Sequence, residues 1–357
     1  MSFPNMPQFK NLHFPRFIAA LGVVLFHYAS YSFGEEFPAL SPFLGIGGLG
    51  VSFFFFLSGV VMVTAYPQPF ETSASKKKFF IARFARIYPL VALTAILVLI
   101  LNYFNNSFPN FLDIVLQFTL LQAWIPGKNL VLNGPSWSIS VEIFFYLLFP
   151  LLQKFCLRLS TAKLIAFSLF IWALTIINHH FNIFYLNPYG DHILGEYLLR
   201  FPLFHLNLFL GGMTLGICVA RGFKLQPRQG FLLATGGTSL FIYLTVFFKP
   251  LEAYLAVATL MPVYVIIVSG LLFLPSWLSK LFISKPAILL GDASYAVYLM
   301  QLPVWNFFMQ ICLPNGIDPG NISGFSFYLG TLLLLSILTF KLFESPLRSK
   351  IRAMLKH

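Results

Sequence analysis

Long apolar runs separated by short polar stretches set the pattern of this chain. Runs long enough, or nearly long enough, to cross a bilayer cover 17–33, 44–66, 87–103, 139–155, 164–178, 201–220, 231–247, 254–274, 288–311 and 325–343. A hydrocarbon layer about 30 Å thick takes about 20 residues of α-helix to cross. Inside it, a helix is the local structure that satisfies its own backbone donors and acceptors. Each run therefore predicts a transmembrane helix, and the fold class is an all-α, polytopic membrane bundle of about ten spans. A further stretch, 111–125, is shorter and carries Asp113, Gln117 and Gln122. No segment between runs is long enough for a soluble domain, and no internal repeat is visible, so 1–357 reads as one integral domain.

Charge decides whether 111–125 crosses, because cytoplasmic loops are enriched in Lys and Arg. With that stretch not spanning and the N-terminus inside, 20 of the 23 basic residues fall on the cytoplasmic side. Lys128, Arg200 and Lys249 are left outside. Counting the stretch as a span would send every later basic loop to the wrong side. The expectation is ten spans, both termini cytoplasmic, and 111–125 half-buried in the outer leaflet. Three outer loops are long: 104–135 with a Gly134-Pro135 turn, 179–200 with His179, His180, Asp191, His192 and Glu196, and the Pro-, Gly- and Asn-rich 313–324.

Composition narrows the class further. The chain is 58% apolar and only 10% charged, against about 25% charge in soluble domains. Its net charge of +12 sits between apolar runs, where it orients a chain in a membrane, and no nucleic-acid role is expected. Cys156, Cys218 and Cys312 show neither a disulfide framework nor ligand spacing. The adjacent His179 and His180 are poorly spaced for a helical metal pair, and no metal site is expected. The first run lacks a small-residue cleavage pattern and reads as a retained span.

The stretch PRFIAALGVVLFHYAS, 15–30, carries Arg16 at its mouth and His27 inside it, eleven positions apart. At about 100° per residue that is close to three helical turns, so both leave one face, about 16 Å apart along the axis. An ionisable side chain near mid-membrane is a functional candidate by default; the alternative is a histidine bonded to a neighbouring helix. Gly45, Gly47, Gly48 and Gly50 spell a G-x-G-x-x-G pattern, but no strand precedes it, and close helix approach is the better reading.

In KKKFFIARFARIYP, Arg83 and Arg86 share a helical face beside Pro89, which can open the backbone. Arginine forks bind phosphate oxygens bidentately, which suits a phosphate-bearing donor; topological anchoring is the competing account. NGPSWSISVEIFFYLLFP places Ser138 and Glu142 four apart on one face. A carboxylate there calls for a cation, which His27 or an arginine could supply, while helix-start bonding and a plain ion pair remain alternatives. Ser294, Tyr298 and Gln301 form a polar stripe at i, i+4 and i+7 that should face a cavity or the bundle interior. No nucleophile elbow and no cysteine paired with a base appears, so a transferase here would use direct attack by the acceptor with a histidine base.

Together these motifs resemble the acyltransferase 3 family of bacterial membrane O-acyltransferases. The resemblance rests on the Arg16-x10-His27 pair, GVSFFFFLSG at 50–59, RFARIYP at 83–89, NGPSWSISVEIFFY at 133–146 and SYAVYLMQLP at 294–303. It implies transfer of acetyl, or another short acyl group, from a cytoplasmic acyl-CoA to a hydroxyl of a cell-surface polysaccharide or glycolipid. It implies His27 as base, Arg16 as its partner, Arg83 and Arg86 on the donor side, and Glu142 as the WSxSVE carboxylate. Trp137, Ser138, Ser294, Tyr295, Tyr298 and Gln301 are then expected to line the cavity. Gln301 stands where the family often has histidine in SYxxYLxHxP. Acyl-CoA enters as co-substrate, with no resident cofactor; the expected partners are the acceptor, the bilayer and glycan-synthesis proteins, and the expected location is a bacterial inner membrane. No fused outer esterase-like domain is present in the sequence, so acceptor recognition is expected of the outer loops or a partner. The rival class is a transporter or flippase of a lipid-linked sugar, disfavoured by the lack of inverted repeats. A structural anchor for a glycan-synthesis complex ranks third, because it does not require buried charges.

Overall fold

A computed structural model describes residues 7–29, 32, 37, 39–186, 192–247 and 259–354. Among these every regular element is helical. In chain order they include α1 (Phe9–Ala29), α2 (Ser41–Ala65), α3 (Ser73–Phe104), α4 (Phe111–Thr119), α5 (Gly134–Arg158), α6 (Thr161–Asn182), α7 (His192–Arg200), α8 (Pro202–Ala220) and α9 (Pro227–Phe247). They continue with α10 (Met261–Leu272), α11 (Ser276–Phe282), α12 (Lys285–Asn315) and α13 (Ile322–Ala353). Nine of the described helices are long and apolar enough to cross a membrane, and counting the α10–α11 pair, bent by 103°, as one broken span makes ten. Pro275 stands at that break as the N-cap of α11, where the ring disfavours helical backbone in the residue before it.

Each apolar run corresponds to one of these helices, with informative differences at the ends. The third run marks only the apolar half of α3, which begins at Ser73 behind a capping box: Thr72 Oγ1 accepts from the Ser75 amide at 3.1 Å and Ser75 Oγ from the Thr72 amide at 3.3 Å. Lys76, Lys77 and Lys78, which precede the third run, ride on the first turns of α3, and Arg83 and Arg86 share the same helix, as their common helical face predicts. At about 1.5 Å per residue its 32 residues extend for roughly 48 Å, so about a third of it projects beyond a 30 Å layer. The loop expected at 179–200 is largely helical as well: α6 carries His179 and His180, and α7 covers Glu196. Asp191, Lys249, Lys356 and residues 254–258 of the eighth run lie outside the described residues.

The stretch 111–125 does not span. Its helix α4 has nine residues, about 13 Å of rise. Asn110 caps it by accepting from the Asp113 amide at 2.9 Å, and Lys128 Nζ lies 2.7 Å from the Asp113 carboxylate. Leu120 then takes a left-handed conformation, φ 57°, which ends the helix.

The chain divides into two compact units. The first comprises Met1–Ala19, Leu49–Glu71 and Val141–Gly291. Its centre is α8, 72% buried over its apolar window, packed on the second part of α2. A Cβ at Gly59 would overlap the Phe209 carbonyl, and one at Gly212 would overlap the Phe56 carbonyl. Backbones meet here because neither helix has a side chain in the way. Phe145 stacks on Phe209 at 4.6 Å between centroids and meets Phe55 edge-on at 5.4 Å. On α5, Leu147, Leu151 and Phe155 are exposed at four-residue spacing, an apolar stripe suited to lipid.

The second unit comprises Ala20–Gly48, Thr72–Ser140 and Asp292–His357. The glycine cluster does here what close approach requires: a Cβ at Gly47 would overlap the Gly22 carbonyl. The projecting start of α3 packs against the last helical segment of α13, Ser345–Ala353.

Gly212→Val is expected to lower stability by about 3 kcal/mol, at the upper end for overpacked cores. Gly236→Ala, where an added Cβ meets nothing within 4 Å, is expected to leave it unchanged or raise it by up to about 1 kcal/mol. Thermal unfolding in detergent compares the two; equal melting temperatures would contradict the packing.

Candidate functional site

His27 lies in a π-helical turn, Leu25–Ala29, that ends α1. Such turns insert a residue into an α-helix and often occur at functional sites. Its ring is exposed, and Nδ1 stands 2.9 Å from Gln301 Oε1 on α12. Gln301 itself is fully buried. Its Nε2 donates to the Tyr298 carbonyl at 2.6 Å, and its own carbonyl accepts from the Tyr328 hydroxyl at 3.1 Å. Tyr28, next to His27, stacks on Trp305 at 4.5 Å and meets Tyr328 edge-on at 5.5 Å, while Trp305 meets Tyr328 at 5.1 Å. These three rings clamp the His27 turn to the helices that carry and support Gln301.

One turn back on α12, Tyr298 joins the NGPSW segment. Its hydroxyl donates to the Pro135 carbonyl at 2.8 Å and accepts from Ser138 Oγ at 2.9 Å. Ser138 thus sits buried in the first turn of α5, beside half-buried Trp137. Ser294, the first member of the polar stripe, is fully buried.

Sequence reasoning missed what Asn133 does. Pro303 lies inside α12 and has no N–H, so the Leu299 carbonyl four residues earlier loses its helical donor. Asn133 Nδ2 supplies one at 3.1 Å and also donates to Thr94 Oγ1 at 2.9 Å. Ser136 continues the network: its Oγ donates to Gln117 Oε1 at 2.9 Å, and Gln122 Nε2 donates to the Ser136 carbonyl at 3.1 Å. Thr94, Gln117, Gln122, Asn133 and Ser136 are all fully buried. The available signal was an amide pair, Gln117 and Gln122, in an apolar stretch too short to span.

Arg86 forms an ion pair through Nη1 with Glu344, whose side chain is 1% exposed. The guanidinium carbon lies 5.3 Å from the Tyr295 ring centroid, and the Tyr295 hydroxyl donates to the Ile87 carbonyl at 3.0 Å. Glu344 ends another π-helical turn, Phe340–Glu344. It too was missed, although a lone acid closing the last apolar run was a usable signal. Arg83 is half-buried one turn before Arg86.

The second unit therefore brings together His27 with Gln301, Ser138 with Tyr298, and Arg86 with Tyr295. Arg16 and Glu142 belong to the first unit. Arg16 is half-buried on α1. Glu142 Oε1 accepts from the Tyr146 hydroxyl at 2.6 Å and from Ser58 Oγ at 3.3 Å, which fixes the carboxylate by two hydroxyl donors.

A family model described as "Acyltransferase domain" matches residues 9–341. "Acyltransferase MdmB" of Streptomyces mycarofaciens is 31% identical over 171 residues, 45% of this chain and 43% of that protein. "Putative O-acetyltransferase SACOL0978" of Staphylococcus aureus (strain COL) is 22% identical over 383 aligned residues, 98% of this chain and 58% of that protein. "Peptidoglycan O-acetyltransferase OatA" of Listeria monocytogenes is 25% identical over 365 residues, 93% of this chain and 54% of that protein. The chain spans about half the length of these curated relatives. No solved structure matches it.

Glu344→Ala is expected to destabilise the protein by about 3–5 kcal/mol, because the Arg86 charge stays buried without its counter-ion. The double variant Arg86→Met/Glu344→Leu is expected to recover most of that loss. Thermal unfolding of the wild type, the single and the double variant checks both; a double variant no more stable than the single one would show that the pair's charge is not what matters.

Proposed function

The chain belongs to the acyltransferase 3 family, and on that premise we propose that it is a membrane O-acetyltransferase. It moves acetyl, or another short acyl group, from an acyl-CoA to a hydroxyl of a cell-surface polysaccharide or glycolipid. The observation that carries the reading is an exposed imidazole, His27, in a distorted turn of an apolar helix with Nδ1 held by a buried amide. A general base needs a side chain both oriented and reachable. The family match over residues 9–341 and the relatives' names support the same reaction class.

In this mechanism His27 takes the proton of the acceptor hydroxyl as its oxygen attacks the thioester carbonyl. The new oxygen–acyl bond forms, the carbon–sulfur bond breaks, and the departing CoA thiolate takes the proton from the imidazolium. Arg83 and Arg86 bind the donor's phosphates by charge-assisted bonds. Glu344 and the Tyr295 ring hold the Arg86 guanidinium, and Arg16 and Glu142 serve the reaction as the family pattern implies. The donor end is the basic end of α3; the distribution of Lys and Arg supports a cytoplasmic position for it, and the family supports a bacterial inner membrane. The acceptor is a glycan hydroxyl, the class named for the Listeria relative, reached with the help of glycan-synthesis partners.

Transfer of labelled acetyl from acetyl-CoA into glycan by membranes holding the wild type tests the reading. His27→Ala is expected to cut the rate by about 10²–10⁴-fold, the worth of a positioned base. Arg83→Ala is expected to raise KM for acetyl-CoA by about 10- to 100-fold, the loss of one charge-assisted contact of about 1.5–3 kcal/mol, with kcat nearly unchanged. Full activity in His27→Ala would overturn the mechanism. Transport of a glycolipid by the pure protein, with no transfer from any acyl-CoA, would replace it with the flippase reading.

A further inference from the structure

Neutral histidine carries its proton on one ring nitrogen, and what faces the other ring positions decides which. Which ring nitrogen holds that proton, and which end of an amide is its oxygen, follow from their neighbours. Here the neighbours settle the assignment. One end of the Gln301 amide lies 2.6 Å from the Tyr298 carbonyl oxygen. A carbonyl only accepts, so that end is the Nε2 donor; the reverse orientation would press two buried oxygens together with no proton between them. The other end, at 2.9 Å from His27 Nδ1, is therefore the amide oxygen, which also only accepts. Nδ1 must then be the donor.

We infer that Gln301 is a positioning residue that holds His27 in the Nδ1–H tautomer, so that the lone pair which takes the acceptor's proton is on Nε2. The inference rests on the reading of His27 as base, and it assigns to Gln301 a role in setting that base. The chain of support is continuous: Tyr298 carbonyl to Gln301 amide to His27 ring, with Tyr328 bonded to the Gln301 carbonyl and packed on Tyr28. Gln301 is fully buried, so water does not compete for either end of the amide.

A neutral amide differs from a carboxylate in this place. It fixes the ring and the tautomer without adding a second buried charge, whose desolvation costs several kcal/mol. It also does not titrate, so this contact keeps its sense at every pH at which the imidazole is neutral. Among the described residues, Phe26 and Tyr28 meet the His27 ring, Tyr328 donates to the Gln301 carbonyl, and Tyr298 presents its backbone carbonyl to the amide.

Nitrogen NMR of protein labelled at histidine reads the tautomer directly, the His27 signals being those missing from His27→Asn. In the wild type at neutral pH, Nδ1 is expected to resonate as a protonated, pyrrole-type nitrogen and Nε2 as a pyridine-type one. Gln301→Met, similar in shape but without an acceptor, is expected to lose that preference and to lower kcat by about 10- to 100-fold, the usual cost of removing a histidine-orienting partner, with KM for acetyl-CoA unchanged. Gln301→Glu, whose second oxygen must carry a proton to face the Tyr298 carbonyl, keeps an acceptor toward Nδ1 and is expected to keep the Nδ1–H tautomer. A wild-type spectrum with the proton on Nε2, or a folded Gln301→Met with unchanged spectrum and kcat, would overturn the inference. If no acyl-CoA supports transfer while the Nδ1–H signature is present, the proposed reaction fails and the assignment of the tautomer stands.

Discussion

A hydrocarbon layer offers no water to an unmatched polar group, and each such group costs several kcal/mol unless the chain itself supplies a partner. The second unit is arranged around that constraint. Pro303 opens one carbonyl in α12, and the nearest remedy comes from a segment far away in sequence, the Asn133 amide. Holding Asn133 in place then takes Thr94 on α3, Ser136 in the following turn, and the two glutamines of α4 and its trailing turn. A helix too short to cross the membrane thus has a structural purpose: it carries Gln117 to the backbone of Asn133 and the hydroxyl of Ser136, the segment whose amide meets α12. The same turn sets Pro135 and Ser138 against Tyr298, three residues before Gln301.

The contacts of His27 and of Arg86 meet the constraint differently. His27 is met by a neutral amide, which orients it at little electrostatic cost. Arg86 is met by a carboxylate and an aromatic face, because a guanidinium remains charged in a protein and needs a counter-ion when no ligand is bound. Tyr295 serves both sides of this arrangement, with its ring over the guanidinium and its hydroxyl on the Ile87 carbonyl, adjacent to Arg86 in sequence. The geometry of Arg86 is therefore set by α12 and by the end of α13 as much as by its own helix.

Much of the architecture was legible in the sequence, because hydropathy over twenty residues reports directly whether a helix can lie in lipid. The spans, the short 111–125 stretch and a close helix approach at the Gly45–Gly50 cluster follow from local composition. Helix ends were less legible: three lysines and two arginines obscure the hydropathy signal, so α3 looked like a loop followed by a span, although Thr72 and Ser75 carry a capping signature. The pairings were not legible at all. His27 and Gln301 are 274 positions apart, and nothing local to either residue names the other; Gln301 read only as one member of a polar stripe. Glu344 was passed over for the same reason, its partner being on α3.

Departures from regular α-helix explain how these distant residues meet. Adding one residue to a turn rotates everything after it by about 100° relative to everything before. In Leu25–Ala29 that rotation lets neighbouring residues serve opposite needs: Tyr28 is buried against Trp305 and Tyr328, while His27 stays exposed with Nδ1 on Gln301. In Phe340–Glu344 it puts the single acid of that helix on Arg86 while Leu342 remains exposed. Residues after each turn thus face directions that an uninterrupted α-helix would not give them, and the two ionisable groups bound to α12 and α3 both lie within such turns.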